Sequence, residues 1–251
     1  MAAFASLLAA SAAVRVASLN LCSDEYLLLL ARPGEVASVT RLSKDAEESV
    51  LAPLAARHPA NRGRIEDVVA VHPSVVLTMG GGGGRSSGAI ARAMGMRVVD
   101  LIQPTTLDDV ANNLRQVAGL LGDAGRAVPW VARLARLRVR PPATRDTIWI
   151  GGGGLTLSPG SLSAQWLALA GLRQRSLPGG RASIETLTTR PPAVLVTSSY
   201  RAGQMSQGQR WLAHPLLARL PSQRIATDGR RWTCAGPLLI DEVERLRRTA
   251  R

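Results

Sequence analysis

Val14 to Asn20, VRVASLN, alternates apolar and polar positions and is rich in β-branched residues, the pattern of a strand. SDEYLLLLA then reads as a helix with Ser23 or Asp24 as its N-cap. VASVTRLS is a second strand, and IEDVVAVH a short amphipathic helix stopped by Pro73. SVVLTM follows as a strand apolar on both faces, as parallel strands covered by helices are. A loop, GGGGGRSS, a helix, GAIARAMG, and a strand, MRVVDLI, complete the first set. Strand and helix alternate throughout, which predicts a parallel α/β lobe over residues 14–106.

From 107 to 140 the period changes. Leu107, Val110, Leu114, Val117 and Leu121 keep helical spacing, Gly122 to Gly125 interrupt, and Val128, Val131, Leu134 and Leu137 resume it. This stretch predicts a rigid helical connector. The α/β logic then returns over residues 141–251. TIWI and AVLVT read as strands, LSAQWLALAGL as a helix closed by Gly171, and QRWLAHPLLARL as a further helix. QRIATD is a last strand, and PLLIDEVERLRR a terminal helix with Pro237 near its first turn. One segment is written twice: IEDVVAVHPSVVLT from Ile65 recurs as IETLTTRPPAVLVT from Ile184, matching at five positions with a constant offset of 119. Duplication at that distance implies two similar lobes with a cleft between them.

The composition, 46% hydrophobic, supports real cores. The net charge of +13 comes almost wholly from arginine. It reads either as a coding preference for Arg over Lys or as attraction to an anionic partner. The arginines are scattered singly, and no basic run interleaves with aromatics, so nucleic acid is not the expected partner. Residues 1–13 form a short apolar run ending in small residues. The run is too short to span a bilayer and resembles a secretory signal without its basic start, which predicts export; the other reading is an ordinary N-terminal element. Two cysteines, Cys22 and Cys234, are too few for a disulfide framework or a thiolate zinc site. They remain two separate thiols, a single bridge across the cleft, or thiolate contacts to a bound metal.

The glycine runs do not make nucleotide sites. In MGGGGGRSS, Met79 stands where a phosphate-binding loop needs its first Gly, and Arg85 replaces the lysine; no G-x-G-x-x-G can be completed in either run. Bare backbone at the carboxyl ends of strands instead suits close approach by a large ligand. His58, His72 and His214 are far apart, and H-E-x-x-H and G-x-S-x-G are absent, so no catalytic residue or metal ligand set is expected. Asp24 and Asp228 read as cap or turn residues. Glu66 and Glu185 open the short helix of each repeat, as first-turn acids or as two matched docking points.

SLNLCSDEYLLLLA, the two copies of the helix–Pro–strand element with its leading Glu, the helical connector and RRWTCAGP together resemble the substrate-binding proteins of ABC importers. The class is the one that carries cobalamin, haem and ferric siderophores, and its cobalamin-binding members come nearest. Ala60 lies near the place where those members carry an aromatic. The resemblance implies an α/β fold of two Rossmann-like lobes with parallel sheets, joined by a rigid helix, with the ligand cleft between them. It implies a periplasmic, monomeric protein that does no chemistry, holds no cofactor of its own and meets the membrane only through a permease dimer. Glu66 and Glu185 would dock on that dimer. The ligand contacts would be Asn20, Leu21, Cys22, Arg62, Gly81, Gly82, Arg85, Gly153, Tyr200, Arg201, Trp232 and Cys234. Arginines suit carboxylate groups, and Trp232 would stack on a flat macrocycle. The alternative is a two-lobed α/β enzyme or enzyme component using the cleft for a metal cofactor.

Overall fold

The computed structural model describes residues 14–81, 84–139, 142–200, 211 and 214–250, with backbone alone over 84–87. The N-terminal lobe carries five parallel strands: β1 (Val16–Ser18), β2 (Val36–Thr40), β3 (Ala60–Asn61), β4 (Val75–Met79) and β5 (Arg97–Leu101), in the order β3-β2-β1-β4-β5. The C-terminal lobe carries four: β6 (Arg145–Ile150), β7 (Leu172–Gln174), β8 (Val194–Ser199) and β9 (Gln223–Asp228), ordered β7-β6-β8-β9 and again parallel. In both sheets the order reverses at the first strand, between β1 and β4 and between β6 and β8. Ligands of open α/β sheets bind outside the carboxyl ends of strands at such reversals.

The duplicated segment maps as its offset requires. Val75 and Val194 each open the strand beside the first strand of its sheet. Ile65–Val71 forms a 3₁₀ helix, and its counterpart α8 (Ile184–Thr189) an α-helix. The first ends on His72 in the left-handed region (φ 45°), which turns the chain before Pro73.

The helical connector takes a form that its periodicity left open. It is two helices, α5 (Leu107–Leu120) and α6 (Val128–Val139). Gly122 (φ 76°) and the 3₁₀ turn Ala124–Ala127 between them reverse the chain instead of merely kinking it. The reversal brings Arg138, near the end of α6, within 2.7 Å of Asp108 in the first turn of α5. The connector is therefore a hairpin that returns to its starting point. Thr106 caps α5 through Asp109 N–H, and the Asp109 carboxylate accepts in return from Thr106 N–H.

That hairpin packs with α1 (Leu21–Leu30), α7 (Leu162–Leu169) and the terminal helix, here α10 (Leu238–Thr249), into one apolar core; Leu27, Leu114, Leu134, Trp166 and Leu239 belong to it. The core reaches strands of both sheets, including Val16, Leu77, Val194 and Val196. The opposite faces have small cores of their own, around Ala17, Ile65 and Val76 in one lobe and Ile148, Leu187 and Leu217 in the other. Ion pairs fasten the rim of the hairpin: Arg126 to Glu35 at 2.5 Å, and Arg133 to Asp241 and Glu244.

Trp166 is the largest fully buried side chain of the shared core, and its indole N–H donates to Ala235 O at 2.8 Å. Trp166→Ala is expected to lower unfolding free energy by about 3–5 kcal/mol, the usual range for emptying such a site. Urea denaturation followed by circular dichroism checks this.

Candidate functional site

Among the contacts that tie the lobes together, three lie beyond the carboxyl ends of strands. Tyr200, just after β8, donates its phenol to Glu48 Oε2 at 3.0 Å. Arg230, just after β9, donates to Ala46 O. Cys22 and Cys234 form a disulfide with Cα atoms 5.3 Å apart. Strand ends of the two lobes therefore face one another, and Leu21, Glu25, Glu48, Arg230, Thr233 and Cys234 line a small opening between them.

The site residues read from the sequence fall into three groups. Asn20, Leu21 and Cys22 lie at the β1–β4 reversal, but they start α1 instead of forming a free loop. Asn20 is its N-cap, and the side-chain oxygen accepts from Cys22 N–H at 2.8 Å, so the expected cap at Ser23 or Asp24 is corrected. Gly81 is exposed beyond β4, yet its amide donates to Asp100 Oδ2 at 2.8 Å. Gly153 is exposed beyond β6 with its carbonyl accepting from Arg181, and Arg62 is exposed beyond β3. Gly154 in the same turn as Gly153 has φ 79°, and a Cβ there would lie 2.4 Å from Ala182 O, so only glycine fits.

Trp232 and Cys234 form the second group. Trp232 is 6% exposed; its indole N–H donates to Thr227 Oγ1 at 2.8 Å, and its ring leans on Trp149 with centroids 5.8 Å apart. The expectation that Trp232 stacks on a flat ligand is corrected: the ring is spent on the core. Cys22 and Cys234 are paired, so neither presents a thiolate, and the metal-contact reading falls with it. In the third group, Gly82 and Arg201 lie outside the described residues, as do residues 1–13. Arg85 lies in the first turn of the helix Gly84–Ala93 instead of in the loop.

Glu66 and Glu185 hold equivalent places. Each is the second residue of the helix that leads into β4 or β8, and each is exposed. Ser183 caps the second of these helices through Thr186 N–H. His214 is likewise an N-cap, accepting from Leu216 N–H at 3.2 Å, as a structural histidine should.

Pattern reasoning missed two buried acids on α1. Glu25 is 4% exposed and accepts the Leu238 N–H of the terminal helix at 2.8 Å. Burial pushes its carboxyl up to about 8, tempered by that hydrogen bond and by the charge of Arg231. Asp24 is fully buried: Oδ2 accepts from Thr40 N–H, Thr40 Oγ1 and Ser43 Oγ, while Oδ1 has no partner. Burial raises it to about 6, against the pull of those hydroxyls. Asp228, in contrast, is held low: burial favours its neutral form but is outweighed by Arg230, which binds both carboxylate oxygens. Among the described residues no group of three His, Cys, Asp or Glu gathers in metal-binding geometry. No helix of the described residues is long and apolar enough to cross a membrane.

No family model matches the chain, and no curated protein matches its sequence. Solved structures do. The periplasmic heme-binding protein HutB of Vibrio cholerae superposes with a TM-score of 0.72 at 16% identity, over 94% of this chain and 98% of that one. The periplasmic vitamin B12 binding protein BtuF of Vibrio cholerae gives 0.64 at 21% identity, over 94% and 95%. An ABC-type Fe3+-hydroxamate transport system protein from Saccharomonospora viridis gives 0.63 at 20%, over 94% and 92%. The likeness establishes the two-lobed α/β fold, with parallel sheets, over nearly the whole chain.

Both buried acids have folded-state values above those of an unfolded chain, near 4. Their stabilising contribution is therefore full below about pH 4 and is lost as pH rises, through about 6 for Asp24 and about 8 for Glu25. The melting temperature should fall between pH 5 and pH 9. Glu25→Gln, which keeps an acceptor for Leu238 N–H, should remove the upper part of that slope and raise stability at pH 9 by a few kcal/mol. Thermal denaturation across that pH range measures it.

Proposed function

We propose that this protein is an extracytoplasmic solute-binding protein that captures a metal chelate in the interlobe cleft and delivers it to an ABC importer. The observation that carries the reading is the convergence of strand-end loops from both sheets, at the reversals β1/β4 and β6/β8, on one gap tied at its floor. The working parts are lobes at 14–106 and 141–251 on the connector 107–140, and the protein works in the periplasm as a monomer. In this reading it does no chemistry, which the similarity to binding proteins of transport systems supports. Full-length similarity to binders of heme, vitamin B12 and ferric hydroxamate supports a cargo of that kind.

Arg62 and the half-buried Arg231 suit carboxylate groups on such a cargo. With Trp232 committed to the core, the cargo rests on arginine pairs and glycine backbone instead of an indole stack from that residue. The exposed Glu66 and Glu185 dock on the two halves of a permease dimer, one acid for each half.

Incubation with hemin, cyanocobalamin or a ferric hydroxamate, followed by desalting and visible spectroscopy, should leave one of the three bound at about one per chain. Retention of none overturns the reading. A Glu66→Ala/Glu185→Ala double variant should keep that binding unchanged but lose delivery at least tenfold in a reconstituted importer. Loss of binding instead would place the acids in the cleft.

A further inference from the structure

We infer that the Cys22–Cys234 disulfide is a redox-controlled lock on the separation of the two lobes, opened by thiol–disulfide exchange with an external dithiol. The other ties across the gap, Tyr200 to Glu48, Arg230 to Ala46 O and Glu25 to Leu238 N–H, are hydrogen bonds. Thermal motion breaks and remakes such contacts within milliseconds. It does not break a disulfide. The bridge therefore sets how far the strand ends can part, holding Cα atoms of opposite lobes 5.3 Å apart across 212 positions of sequence.

Its position favours reduction. Cys22 is the second residue of the ten-residue helix α1, beside the N-cap Asn20. A sulfur at a helix N-terminus is stabilised as thiolate, which stabilises the reduced pair and makes that sulfur the better leaving group. Of the acids on α1, Glu25 stays largely neutral near pH 7 because burial raises its carboxyl to about 8, while Asp24, raised only to about 6, is ionised but has its charge turned onto Thr40 and Ser43. Facing α1 are Arg231 and Arg230 from the loop after β9 and Glu48 from the loop after β2, the last engaged by Tyr200. Cys234 is only 6% exposed, whereas Cys22 is half-buried, so Cys22 is the cysteine that an attacking thiolate meets first.

The step balances as an exchange. A thiolate of the dithiol attacks Cys22 Sγ, the S–S bond breaks, and its electron pair leaves on Cys234 Sγ, which takes a proton from water. The second thiol of the reductant, deprotonated to water, attacks its own partner sulfur in the mixed disulfide and expels Cys22 as the thiolate that the helix N-terminus stabilises. The dithiol departs as a disulfide, two electrons poorer. What opening does to a cargo rests on the function proposed above; the lock itself does not, so its test reads the lobes alone.

The full chain in native buffer is titrated with dithiothreitol redox buffers, alkylated and weighed intact. The reduced form is examined by small-angle scattering and amide hydrogen exchange. The expected result is reduction without denaturant, retained circular dichroism, a larger radius of gyration, and exchange at Leu238 to Ile240 at least tenfold faster. All of these should revert on reoxidation. The Cys22→Ser/Cys234→Ser double variant should match the reduced form and ignore dithiothreitol. In Cys234→Ser, alkylation of Cys22 against pH should titrate below the ordinary thiol value of about 8.5. A bridge that resists dithiothreitol in the folded protein, a reduced form with unchanged radius and exchange, or global unfolding on reduction would overturn the lock and leave the disulfide a passive brace. A chain that binds no chelate leaves this outcome unaffected.

Discussion

The two sheets share one apolar core, and the remaining geometry depends on it. Neither inner face is covered by its own lobe alone. Helices α1, α5, α6, α7 and α10 interleave between the sheets, and Leu27, Leu114, Leu134, Trp166 and Leu239 are buried among them. Swinging the lobes apart as rigid bodies would bring that surface into water at about 25 cal/mol for each Å². A few hundred Å² would already exceed what the polar contacts across the gap supply. The lobes therefore stay hinged on that core, and what is left to the Cys22–Cys234 bridge is how far the strand ends rock apart about it. The outer faces make the contrast plain: their cores around Ile65 and Leu187 are local and constrain nothing beyond their own lobe.

At the edge of that core the fold accepts an electrostatic cost. Glu25 caps the N-terminus of the terminal helix through Leu238 N–H, a place where a carboxylate is welcomed by the helix dipole. Desolvation nevertheless wins, and the group is more easily protonated than in water. Gly236 completes the fit, since a Cβ there would sit 2.6 Å from Glu25 Oε1. A third buried acid, Glu242 of the terminal helix itself, is satisfied differently, by Thr227 Oγ1 and by Arg245 at 2.6 Å. Trp232 donates into the same Thr227 hydroxyl, so the indole that reads as a ligand platform is one end of a polar chain reaching α10.

The duplicated helix–Pro–strand element was legible because it is local: the constant offset of 119 places Val75 and Val194 at the starts of equivalent strands. Seven of the nine strands were readable for the same reason, the three-residue β1 through the longer run VRVASLN around it. Two of the four edge strands, β3 with two residues and β7 with three, lie in no such run. Asn20 was read as a loop contact because its capping role appears only once helix α1 is seen to start two residues earlier than SDEYLLLLA implied. The connector was found but not its reversal, since Gly122 to Gly125 fits a kink or a turn equally and the Asp108–Arg138 contact lies 30 residues apart. Glu25 was invisible for a deeper reason. An acid early in a helix ordinarily faces water, and the segment that covers it lies more than 200 residues further along the chain.

A gap fixed by a shared core also bears on how a ligand is held. Loops set in place before binding lose little conformational freedom when the ligand arrives, so modest contacts suffice for useful affinity. Surplus charge has to be read in the same frame. Of 31 basic residues, several are already committed: Arg126, Arg133, Arg175 and Arg230 each bind carboxylates at the rims of the core. The remaining excess is dispersed instead of gathered into a stripe, so its field attracts anions generally without selecting a polymer. Selection, on the function proposed above, falls to the strand ends, where Arg62 is exposed and Arg231 half-buried. A long-range field that draws an anion in thus acts together with short-range geometry that the shared core has already set.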